Sequence, residues 1–104
     1  MKYRLVTRPE VEADILKAAD YYEREASAEL AQDFVREVRR AMQRLTENPL
    51  LFMVRHQRHP VRWAFPDRFP HRIVFTVEAE LITVLCVVHA KRHDRVWRKR
   101  LGKF

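Results

Sequence analysis

The spacing of apolar residues changes at Pro49, and that change restricts the chain to folds that keep helices and strands in separate halves. Ahead of Pro49, Leu30, Phe34, Val38, Ala41 and Leu45 recur at intervals of three and four, and Val35 and Met42 widen the stripe. This spacing lays one apolar face along a helix. Arg36, Arg39, Arg40, Gln43 and Arg44 lie off the stripe. Ser27 is the expected N-cap, and Asn48-Pro49 ends the run because proline has no N–H with which to continue a helix. An earlier helix is expected over about 9–25, where Val11, Ile15, Ala18 and Tyr22 keep the same spacing. Its start reads as a cap at Thr7 with Glu10 three residues on and Pro9 in the first turn. The short link between the helices predicts an antiparallel hairpin.

Beyond Pro49 the pattern is that of strands. Residues 50–60 are mixed and read as a loop, 61–65 as a strand, and 65–70 as a turn with two prolines. In 72–77, Ile73, Phe75 and Val77 alternate onto one face, and 78–80 form a compact turn. Residues 81–89, LITVLCVVH, are apolar almost throughout. Such a run marks a central strand covered on both faces, by the chain's own helices or with one face against a partner. The two strands should pair as an antiparallel hairpin. A short opening strand at 3–6 precedes the helices, and a basic helix or tail at about 93–101 follows the strands. The expected class is α+β: an N-terminal strand, then an antiparallel helical hairpin packed on a small, mainly antiparallel sheet. The order is β-α-α-β-β-β plus a basic C-terminal tail, in one domain over residues 1–104. The sheet's other face is expected to carry much of the arginine.

Charge is distributed as unevenly as period. The chain carries 21 basic and 14 acidic residues, a net charge of +7. Residues 9–48 hold ten acids and six bases, so the rest of the chain carries +11, densest over 89–104. An anionic partner is the expectation, and arginine forks suit phosphate and carboxylate. No apolar stretch is long enough to span a membrane. The opening residues lack the apolar core of a signal peptide. The single cysteine, Cys86, excludes an internal disulfide. A cytoplasmic protein is expected.

Several chemistries are disfavoured by what is present. The only serine, Ser27, is the helix cap, and Cys86 lies mid-strand, which argues against covalent catalysis. The only glycine, Gly102, leaves no phosphate loop. His56/His59 and His89/His93 are spaced like metal ligands but lack the companion set, so neither metal nor cofactor is expected. What remains is arginine with histidine. Arg62, Arg68, Arg72 and Arg92 with His71 and His89 form a set able to cleave RNA without metal, or a solvated basic face. Trp97, among Arg95, Arg98, Lys99 and Arg100, reads as an anchor for the tail or as an exposed contact.

Taken in order, these pieces resemble the RelE/ParE superfamily of bacterial toxins. The resemblance runs from Tyr3–Ile15 through Leu45–Pro49 and Val61-Arg62. It continues through Phe69-Pro70-His71-Arg72-Ile73-Val74-Phe75 and Ile82–Arg92 to Trp97-Arg98. It implies the toxin of a type II toxin–antitoxin system, held inactive by a cognate antitoxin whose C-terminal segment wraps it. The Phe-Pro-His turn and the His89…Arg92…Trp97 ending are nearer the ParE, or plasmid-stabilisation, branch, whose members poison DNA gyrase and have no accepted catalytic residues. Target or antitoxin contacts would then fall on Arg62, Arg68, Arg92, Arg95, Trp97, Arg98 and Arg100. The alternative is a RelE-like endoribonuclease cutting mRNA on the ribosome, with Arg72, His89 and Arg92 acting on the phosphate. The C-terminal tyrosine common in that branch is missing here. A third class is an inactive relic or a plain nucleic-acid-binding module.

Overall fold

A computed structural model describes residues 2–56, 58–91 and 95–101. The elements are β1 (Arg4–Thr7), α1 (Glu10–Glu25), α2 (Ala28–Leu45), a 3-10 turn (Pro49–Leu51), β2 (Val61–Ala64), β3 (His71–Glu78), β4 (Leu81–His89) and α3 (Arg95–Leu101). The strands form one sheet in the order β1-β4-β3-β2. β1 runs parallel to β4, and the other two pairs are antiparallel. The α+β class and the expected element order are therefore borne out.

Local chemistry accounts for most boundaries. Ser27 Oγ accepts the Leu30 N–H at 3.0 Å and starts α2. The start of α1 differs from expectation. Thr7 is the last residue of β1, Pro9 holds the cap position, and no side chain caps the helix. Arg8 N–H continues the ladder to the Val84 carbonyl at 2.9 Å, so the chain leaves the sheet directly into the helix and gives Thr7 no room to cap. The β3–β4 turn places Ala79 at φ 55°, in the left-handed region that usually calls for glycine.

One face of the sheet receives the helical hairpin. Phe34, Val38 and Leu45 of α2 and Val11 and Ile15 of α1 pack on Ile73, Phe75, Ile82 and Val84. The opposite face holds a second apolar cluster, Val61, Val74, Leu85, Cys86 and Trp97. A register shift makes both possible. Val74 faces Cys86 and Phe75 faces Val84, so Leu85 is an extra residue on β4. Such a bulge changes the alternation of side chains. Val84 and Val87 therefore both join the helical face, while Leu85 and Cys86 both join the other. This explains the unbroken apolar run of β4, because its second face is covered by the chain's own C-terminal helix.

The second face is consequently not the open arginine surface expected from the sequence. Trp97 and Leu101, one helical turn apart, lie over its centre, and Trp97 is 1% exposed. Truncating a buried tryptophan removes its transfer energy and leaves a cavity, typically costing about 3–5 kcal/mol. Trp97→Ala should lose about that much stability in urea unfolding. A loss under about 1 kcal/mol would mean that α3 does not hold this face closed.

Candidate functional site

Three places concentrate the polar chemistry. The first is a tie between α1, β4 and α3. β1 ends opposite Val84, so β4 continues beyond the bulge with no strand on that side. Asp14 of α1 and Arg100 of α3 take the strand's place. Asp14 Oδ2 accepts the Val87 N–H at 3.0 Å, and Arg100 Nη1 donates to the Leu85 carbonyl at 2.9 Å. The two side chains pair through both forks, at 2.6 and 3.0 Å. The hydrogen bonds that Arg100 donates to Asp14 raise the Arg100 pKa further, so the guanidinium stays charged.

Beside this tie lies a groove of about 590 Å³ between α1, the end of β4 and α3. Lys17, Tyr21, Tyr22, His71 and His89 line it. His71 is 8% exposed, and its Nδ1 has no hydrogen-bond partner among the described residues. Its ring lies 4.8 Å from Phe34, 5.9 Å from Tyr22 and 5.4 Å from His89. Burial, aided by the charge of His89, lowers its pKa to about 4.

The third place is the rim of the second face. Arg72 stacks over Trp63 at 4.0 Å and donates to the Ala90 carbonyl. Arg55 lies 5.5 Å from the same ring. Arg98 lies 5.6 Å from the Trp97 ring, with its Nη2 2.7 Å from His56 Nε2.

The residues singled out from the sequence fall in different places. Arg72 and His89 do not converge. His71 pairs with His89 across the two strands, and His71 points to the helical side. Arg72, the next residue, points to the other side, against Trp63. Arg92 lies outside the described residues. Arg62 stands opposite Phe75 on the helical side and donates to the Phe52 carbonyl. Arg68 pairs with Asp33 of α2 at 3.1 Å. Trp97 is an internal anchor and Arg100 an internal tie, so neither is offered outward. Arg95 and Arg98 are the two of this set that α3 exposes. Asp14 escaped sequence reasoning, because it sat among ten acids on a solvated helical segment and nothing local marked it. His59, which shares a cleft with Arg98, is marked in the sequence only as half of an incomplete metal pair. Among the described residues no group of three or more potential ligands is gathered for a metal. No described helix is long and apolar enough to cross a membrane.

His71 gives the site a pH signature. Its folded pKa lies below the unfolded value of about 6.5, so on acidification the unfolded chain takes up the proton first. Stability should be full above pH ~6.5 and fall between about 6.5 and 4 by up to ~3 kcal/mol. Urea unfolding at a series of pH values measures this, and His71→Phe should flatten that part of the curve. An unchanged acid slope in His71→Phe would remove His71 as its source.

Comparison with known proteins agrees with the fold. No curated protein matches the chain. Among the solved structures, a chain of the chromosomal ParDE TA system from P. aeruginosa superposes with a TM-score of 0.73 at 21% identity. The match covers 85% of this chain and 96% of that one. The family model described as the ParE toxin of type II toxin–antitoxin system parDE matches residues 5–94, spanning β1 through β4. This chain therefore belongs to the ParE toxin family, within the RelE/ParE superfamily, and is a toxin of the type II toxin–antitoxin kind whose partner is a cognate antitoxin.

Proposed function

We propose that this toxin acts by inhibiting DNA gyrase, as a stoichiometric poison rather than a nuclease. The observation that carries the reading is the placement of Arg72 and His89 on opposite sides of the sheet. An acid–base cleavage of RNA needs its charge stabiliser and its proton carrier at one phosphate. Here Arg72 is committed to the Ala90 carbonyl and the Trp63 ring, and His89 faces the groove beside His71. That geometry argues for a surface that binds over a site that cleaves.

The binding surface on this reading is the outer side of α3, where Arg95, Arg98 and Lys99 are exposed. The cognate antitoxin covers the same basic side, opposing its charge with acidic residues. Residues 1–104 act as one domain, in the cytoplasm, where gyrase works on the chromosome. No cofactor is required for such a role.

Purified toxin added to gyrase and relaxed plasmid should block supercoiling or trap cleaved DNA, and co-purified antitoxin should abolish the effect. Undisturbed gyrase, together with mRNA cleavage in a purified ribosome system, would overturn the proposal and return Arg72 and His89 to a catalytic role.

A further inference from the structure

The loop before β2 and the outer side of α3 enclose a second cleft, of about 420 Å³, lined by Arg55, His56, Arg58, His59 and Arg98. Among the described residues its lining contains no carboxylate. The arginines of α2 and of the turn before β3 differ. Arg36, Arg39, Arg40, Arg44 and Arg68 each stand beside an acid. Among the described residues, Arg55, Arg58 and Arg98 have no such partner.

His56 joins the loop to α3. Its Nδ1 lies 3.1 Å from the backbone N of Arg58 and 3.3 Å from that of His59, and its Nε2 lies 2.7 Å from Arg98 Nη2. A guanidinium carries five N–H donors in a fixed fork, so Arg98 keeps donors to offer an anion beyond the one turned to His56. The floor beneath them is fixed, since the His56 and His59 rings meet Trp97 edge-on at 5.3 and 5.7 Å and Trp97 is buried.

We infer that this cleft is a phosphate-binding site that takes a backbone phosphate of duplex DNA. Guanidinium forks and an imidazole N–H arriving from a loop and a helix match the several acceptor oxygens of a phosphate. The +11 carried outside residues 9–48 supplies the long-range attraction. The choice of DNA rests on the gyrase reading; the phosphate chemistry does not.

The test is equilibrium binding of the full chain to a duplex of about 20 base pairs over a salt series, with Arg58→Gln/Arg98→Gln as the variant. Each lost phosphate contact should make the log–log salt slope shallower by about one. The double variant, losing that one phosphate, should lose about one unit of slope and at least about tenfold in affinity at low salt. Arg24→Gln, on the exposed side of α1, should bind as wild type does. Inorganic phosphate should shift the His56 and His59 ring resonances in wild type and not in the double variant. A double variant with an unchanged melting temperature and wild-type duplex binding would overturn the proposal. So would one that keeps duplex affinity but loses antitoxin affinity, since the cleft would then take carboxylates. A negative gyrase assay with the expected duplex result would leave the phosphate site standing and remove the gyrase reading alone.

Discussion

The C-terminal half of the fold depends on one buried ion pair. Asp14 and Arg100 are 86 residues apart and pair through two hydrogen bonds, with only about 15% of either side chain exposed. Burying two charges is costly unless every lone pair and proton is used. Here the backbone of β4 takes up further capacity, Val87 N–H donating to Asp14 and Leu85 C=O accepting from Arg100. The pair therefore does the work of a missing strand, satisfying an edge that β1 leaves after Thr7. It also sets where α3 can lie. With Arg100 fixed to α1, Trp97 and Leu101 turn onto the second face of the sheet.

That placement determines which charges the protein shows. The helical hairpin is acidic overall, and several of its acids are already engaged by arginines. Asp33 meets Arg36 and Arg68, Glu37 meets Arg40, and Glu12 meets Arg39. Around α3 and the loop before β2, on the side away from the hairpin, Arg55, Arg58, Arg95 and Arg98 have no acidic partner among the described residues. A basic surface is thus mounted on a rigid floor of tryptophan and histidine rings rather than on a free tail. This is the arrangement expected of a protein that works by binding.

Much of the fold could be read from residue order. The α2 stripe, the Ser27 cap and the extents of β3 and β4 needed only local rules. The unbroken apolar run of β4 announced two covered faces but not what covered the second, because the answer lay in Trp97, eight residues past the strand's end. The bulge at Leu85 was invisible, since an apolar run has no alternation whose break could be seen. The site was legible only as a set of residue types. Adjacent residues on a strand point to opposite sides, so His71 and Arg72 could not share a site. Grouping them with His89 required knowing which way each pointed.

The most direct test is native-state hydrogen exchange in wild type and Arg100→Gln. The account predicts that the Val87 amide and the amides of α3 exchange much faster in the variant, while those of α2 and the β2–β3 pair change little. Equal protection of Val87 and α3 in both proteins would contradict it, because the Asp14–Arg100 pair would then not be what holds α3 to the sheet.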